Sequence, residues 1–85
     1  MKTTLSFKFE NKTYTSKPFD FEAMCLINDR HGDEKTGVFR MTSDCVDYMF
    51  RGTDGANVIE KLPNAERAKL CHAAWVMYTD VIKNV

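Results

Sequence analysis

The sequence lacks the features by which several large classes of protein are recognised. Its longest near-continuous apolar run, residues 73–78, is far shorter than the about 20 residues that a membrane-spanning helix needs. Twelve basic and twelve acidic residues cancel, so no obvious basic face gains counterion-release energy from nucleic acid. The N-terminus carries no hydrophobic signal segment. We therefore expect a cytoplasmic protein with no membrane contact, and we do not expect nucleic acid as its main partner.

The cysteines and histidines do not form a site by their spacing. Cys25, Cys45 and Cys71 are odd in number and irregularly spaced, which does not make a disulfide framework. The closely paired ligands of a structural zinc site are also missing. Cys71 and His72 are neighbours, but adjacent helical residues diverge by about 100° and do not face each other. We predict no catalytic residue, no metal and no cofactor, and we expect that the protein is not an enzyme.

A glycine-bounded polar segment has the opening spacing of a phosphate-binding loop, from Gly32 to Gly37. Such a loop continues with Lys and Ser or Thr, which reach the phosphate and the magnesium ion. Here Val38 and Phe39 take those two places. We interpret the segment as a flexible turn.

An N-terminal hairpin is predicted by alternation. In residues 4–9 the apolar side chains of Leu5, Phe7 and Phe9 alternate with polar ones, which is typical of a half-buried strand. Residues 10–12 supply a turn, and residues 13–15 favour a second strand. Pro18 ends the strand region, because it has no amide proton to donate.

The period then changes to that of helices. Asp20 is a plausible N-cap for a first helix that runs to His31. A second helix is predicted to begin at Thr42 or Ser43 and to end at Gly52, while residues 38–41 either add a short strand or lead into it. The core residues expected on these two helices are Phe21, Ala23, Met24, Cys25 and Ile27, then Cys45, Val46, Tyr48, Met49 and Phe50.

Two further helices complete the predicted fold. A short one starts at Thr53 or Asp54 and buries apolar residues up to Leu62, and Pro63 fits the first turn of a long helix that continues to Val85. The fold class is therefore α+β: an N-terminal β-hairpin followed by a compact bundle of about four helices. We expect one domain over residues 1–85, with the hairpin in 1–17 and the helical part in 18–85.

The last helix is unusual in the width of its apolar face. That face covers roughly 180°, against about 100° for an ordinary surface helix, so it needs more than one neighbour. Trp75 and Tyr78 lie three residues apart, as in an interface hot spot, although packing in the core explains each of them as well. The candidate partner-binding residues on this helix are Leu70, Trp75, Tyr78, Val81 and Ile82.

The hairpin and three segments of the chain, residues 18–26, 46–52 and 70–78, carry a resemblance to a known family. Together they resemble the small tail assembly chaperones of long-tailed (siphovirus-type) bacteriophages or prophages. The resemblance implies a non-enzymatic protein that coats the tape measure protein, helps to recruit the tail tube protein and self-associates along its target. It also implies a place in the host bacterial cytoplasm and absence from the mature virion.

Two alternatives remain open at this point. The chain could be a small structural virion protein, such as a head–tail connector or a tail component. It could also be a DNA-binding regulator with a helix-turn-helix in residues 42–52 and 54–62, although acidic residues outnumber basic ones there.

Overall fold

The computed structural model describes residues 3–31 and 37–83. It confirms the α+β class, with an antiparallel hairpin followed by a compact helical part. A pair of short 3₁₀ turns stands where the third helix was expected. The elements are β1 (Ser6–Phe9), β2 (Lys12–Thr15), α1 (Phe21–His31), α2 (Val38–Phe50), the 3₁₀ turns Asp54–Asn57 and Ile59–Lys61, and α3 (Asn64–Lys83).

The hairpin closes through a two-residue turn. Glu10 and Asn11 both have positive φ, 49° and 67°, as the tight turn that matches strand twist requires. Phe7 pairs with Tyr14 across the strands, and their rings stack at 5.2 Å between centroids. Leu5 and Phe7 are buried, so the predicted apolar face does lie on the helices.

Helix α1 begins as predicted. The Asp20 carboxylate accepts a hydrogen bond from the Ala23 amide at 2.9 Å, which is the N-cap contact. Ala23 and Ile27 are fully buried, and Met24 is half-buried. The prediction for Phe21 was wrong, because its side chain is 74% exposed. Phe21 lies two residues before Ala23, which is about 200° around the helix and therefore on the opposite side.

Helix α2 begins at Val38, so the predicted cap at Thr42 or Ser43 was wrong and residues 38–41 belong to the helix. Thr42 is completely buried inside it. The Thr42 hydroxyl donates to the Val38 carbonyl oxygen at 2.7 Å. A threonine can satisfy its hydroxyl in this way within a helix, and sequence reasoning mistook that residue for a cap.

The remainder of α2 agrees with its predicted core face. Cys45, Val46, Met49 and Phe50 are buried and Tyr48 is half-buried. The chain leaves the helix through Gly52, whose φ of 81° favours glycine.

The 3₁₀ turns begin as predicted, with Thr53 as a cap. Its hydroxyl oxygen accepts the Gly55 amide hydrogen at 3.2 Å. Gly55 is buried against the Phe50 ring, and Ile59 and Leu62 point into the core.

Helix α3 has the wide buried face that its sequence indicates. It packs against α2 and also contacts α1 and β1, so it has the several neighbours that were expected. Pro63 lies one residue before the helix, and its carbonyl oxygen accepts a hydrogen bond from the Arg67 amide at 3.1 Å. Pro63 therefore occupies the N-cap position and not the first turn, where it was predicted. The buried residues of α3 are Leu70, Cys71, Ala74, Met77 and Tyr78.

Two predictions fall outside the described residues. The first is the polar turn at 32–37, of which only Gly37 is described. The second is the end of the final helix, residues 84–85. Within residues 3–31 and 37–83, no helix combines the length and hydropathy that a bilayer span would need.

Candidate functional site

An open cleft of about 660 Å³ lies between the start of α2 and the first half of α3. We call it the α2–α3 cleft. Helix α2 supplies one wall and α3 supplies the other. The cleft is lined by Phe39, Arg40 and Ser43 from α2 and by Asn64, Ala65, Arg67, Ala68 and Cys71 from α3.

The cleft exists because α3 presents small side chains where it passes the start of α2. Ala65, Ala68 and Cys71 are spaced by three residues, which places them along one side of the helix. Cys71 is only 8% exposed and forms the floor. Larger side chains at these positions would fill the space between the helices.

Phe39 gives the cleft an exposed aromatic ring. It lies in the first turn of α2 and is 59% exposed, although phenylalanine is usually buried. The sequence placed Phe39 only in a short strand or a lead-in to α2 and did not identify it as a surface residue.

Two arginines border the same cleft from opposite walls. Within the described part of the chain, no ion pair or side-chain hydrogen bond engages the guanidinium of Arg40 or Arg67. Asp47 lies near enough to Arg67 for the arginine charge to affect the pKa of its carboxyl group. Burial raises the pKa of Asp47, and the nearby Arg67 charge opposes that rise. The cleft therefore combines an apolar floor, an aromatic rim and local positive charge.

The five predicted partner-binding residues lie elsewhere, and none of them lines this cleft. Leu70 and Tyr78 are each 4% exposed, so they pack within the chain and have little surface left for a partner. Trp75 and Val81 are half-buried, and Ile82 is 46% exposed.

Trp75 and Tyr78 belong to an aromatic cluster that joins α3 to the end of α1. The Trp75 ring stacks on His31 at 5.6 Å and on Tyr78 at 5.5 Å between centroids. The Tyr78 hydroxyl donates to the Asn28 side-chain oxygen at 2.8 Å. These contacts give both rings a role in holding the helices together.

A polar network connects the start of α1 to α2. The Tyr48 hydroxyl donates to Asp20 at 2.7 Å, and the Lys17 ammonium lies 4.9 Å from the Tyr48 ring centroid. Hydrogen bonds from the Ala23 amide and from Tyr48 lower the pKa of Asp20, and the same bond to Asp20 raises the pKa of Tyr48. The network fixes the helix start.

Cys45 and Cys71 are core residues, whereas Cys25, which was also expected in the core, is only half-buried. Burial raises the pKa of the Cys45 thiol to about 12. Cys71 is buried while His72 is exposed, so the two side chains diverge as predicted. In residues 3–31 and 37–83, no group of three or more His, Cys, Asp or Glu side chains is arranged to hold a metal ion.

The arrangement expected for a helix-turn-helix is not formed. Residues 54–61 make two 3₁₀ turns of four and three residues, in place of the α-helix that would enter a DNA groove. Comparison of the chain with protein-family models, with curated proteins and with solved structures gives no match.

Proposed function

We propose that this chain is a non-enzymatic assembly factor, namely a tail assembly chaperone of a long-tailed bacteriophage or prophage that acts in the host cytoplasm. The observation that carries the proposal is the α2–α3 cleft, an open space between two helices that is lined by the exposed Phe39 ring, Ala65 and Ala68. Amphipathic protein helices dock by laying an apolar face into a groove between helices, and the cleft offers such a groove. The resemblance of residues 18–26, 46–52 and 70–78 supplies the identity of the partner.

In this role the chain binds the tape measure protein, a long helical polypeptide with apolar stripes, and keeps it soluble. Many copies of a small domain would cover the target, and contacts between copies would assist recruitment of the tail tube protein. Exposed apolar residues away from the cleft, such as Phe21 and Ile82, are available for those contacts.

Co-expression tests the proposal. The tape measure protein of the phage or prophage that encodes this chain should be largely insoluble alone and soluble when both are produced. Phe39→Asp should abolish the effect, whereas Val76→Asp should retain it, because Val76 is an exposed apolar residue of α3 outside the cleft. An unchanged soluble fraction with the unsubstituted chain would contradict the proposal.

A small structural virion protein is the second candidate. The exposed apolar side chains of Phe21 in α1, 74% exposed, and Ile82 in α3, 46% exposed, fit this candidate as well as they fit contacts between chaperone copies. A permanent component with several neighbours would cover such residues. Mass spectrometry of purified particles separates the two candidates, because a chaperone should be missing from mature virions.

A further inference from the structure

We propose that the α2–α3 cleft selects an acidic amphipathic segment of its partner, with an apolar side chain seated beside Phe39 and carboxylates held by Arg40 and Arg67. The inference rests on the proposed function for the existence of a protein partner. It adds where that partner binds on this chain and which charge the partner carries.

The size of the cleft favours a peptide segment over a small ion. Its volume of about 660 Å³ is far larger than an ion needs and has room for several side chains. Ala68 and Cys71 line the cleft from α3, and Phe39 lines it from α2. An apolar side chain placed there would lose its contact with water on several sides.

The charges of the cleft favour an acidic segment. Arg40 and Arg67 approach the cleft from different helices, and neither guanidinium is paired within the described chain. A guanidinium group binds a carboxylate through two parallel hydrogen bonds, and such charge-assisted bonds are stronger than neutral ones. A lysine-rich segment would be repelled by both arginines. Asp47 lies near Arg67, so it offsets part of the positive charge at that side.

A pair of synthetic peptides provides the direct test. Both would be amphipathic helices of about 20 residues with the same stripe of Leu and Phe, and one would carry Glu where the other carries Lys. Titration of the ¹⁵N-labelled full chain should shift the amides of Phe39, Arg40 and Ala68 with the Glu peptide. We expect the Glu peptide to bind at least about tenfold more tightly than the Lys peptide.

Charge reversal should invert that preference. In the double variant Arg40→Glu/Arg67→Glu the Lys peptide should bind more tightly than the Glu peptide. The control Lys8→Glu/Lys61→Glu makes the same change in net charge at exposed positions outside the cleft and should retain the original order. Circular dichroism establishes that each variant is folded before it is titrated.

Filling the cleft tests its shape independently of charge. Ala68→Phe should weaken binding of the Glu peptide by about tenfold or more, because the new ring occupies the floor. Ala73→Phe is the matched control, because Ala73 is a half-buried alanine of α3 that does not line the cleft. It should leave the affinity for the Glu peptide unchanged.

Several outcomes would overturn the inference. They are equal affinity for the two peptides, no binding of the Glu peptide, or amide shifts confined to other surfaces. Concentration-dependent shifts of the cleft amides without peptide would identify a second copy as the occupant. Tighter binding of a single-stranded oligonucleotide than of the Glu peptide would identify a nucleic-acid site.

The two proposals fail in distinguishable ways. If the Glu peptide binds in the cleft but the tape measure protein stays insoluble, the proposed function is wrong and the cleft assignment stands. If the Arg40→Glu/Arg67→Glu variant keeps the tape measure protein as soluble as the unsubstituted chain does, the function stands and the cleft assignment is wrong.

Discussion

Asp20 shows how one side chain can start a helix and also hold two helices together. Its carboxylate accepts hydrogen bonds from the Ala23 amide, at 2.9 Å, and from the Tyr48 hydroxyl, at 2.7 Å. The first contact caps α1, and the second ties that cap to α2. The cap was predicted from the residue type, whereas the contact with Tyr48 joins residues 28 positions apart and has no signal in the local sequence.

The stabilisation from Asp20 should depend on pH. Hydrogen bonds to the carboxylate lower its pKa below the usual 3.8, so the folded chain favours the ionised form. That contribution is complete well above 3.8 and is lost as pH falls through 3.8 toward the lower pKa of the folded chain. Asp20→Asn keeps a capping oxygen but removes the charge. In thermal melts, the difference in Tm between the two proteins should be widest near neutral pH and shrink below about pH 4.

Tyr48→Phe is the control for that titration. It removes one of the two hydrogen bonds to Asp20 and leaves the amide contact in place. The pH-dependent part of its Tm change should be smaller than that of Asp20→Asn. A Tm difference between Asp20→Asn and the unsubstituted chain that is the same at neutral pH and at about pH 3 would contradict the assignment.

Trp75→Ala should destabilise the chain less than the loss of a fully buried tryptophan. A fully buried ring would cost about 3–5 kcal/mol, but Trp75 is half-buried and stacks on His31 and Tyr78. We expect the free energy of unfolding to fall by about 2 kcal/mol, of which the lost aromatic stacking accounts for about 1 kcal/mol. Urea unfolding followed by far-UV circular dichroism measures it, and Trp75→Phe should recover part of the loss. An unchanged free energy of unfolding together with lost assembly would place the ring in an interface.

Among the secondary-structure elements, the strands and helices that follow a regular local pattern were predicted well. Alternation predicted the buried hairpin face of Leu5 and Phe7, and helical spacing predicted the buried residues of α2, which are Cys45, Val46, Met49 and Phe50. One error arose because a residue type allows two environments. Thr42 carries a hydroxyl that caps helices, yet it satisfies that hydroxyl inside α2 by bonding to Val38.

The connection after α2 depends on the absence of a side chain at Gly55. A Cβ atom there would lie 2.9 Å from Cδ1 of Phe50, whose ring is fully buried. Gly55→Ala should therefore destabilise the fold by about 1–3 kcal/mol in urea unfolding, because the ring or the turn must move. Gly37→Ala is the matched control, since its Cβ would meet nothing within 4 Å, and its effect should lie within about 1 kcal/mol of zero. Equal effects of the two substitutions would contradict this packing.

At the scale of the molecule, the candidate site results from how α2 and α3 are placed together. Ala65 and Ala68 give no functional signal in the sequence, and Arg40 and Arg67 are 27 positions apart. Only the packing of α3 beside the start of α2 brings them to one cleft. The predicted site residues were chosen from the apolar face of α3 alone. Two of them, Leu70 and Tyr78, are buried because that face is covered by the chain's own core.

The three cysteines allow the opening of that core to be followed. Cys45 is completely buried, and burial raises the pKa of its thiol to about 12, so the thiol stays protonated near pH 8. Because the thiolate is the reactive form, Cys45 should be alkylated only when the molecule unfolds. Cys25 is half-buried and should react first, while Cys71, 8% exposed, should follow unfolding as Cys45 does. Mass spectrometry after timed iodoacetamide labelling, with and without urea, measures the order in which the three cysteines are alkylated. Rapid labelling of Cys45 without urea would show that the core opens locally.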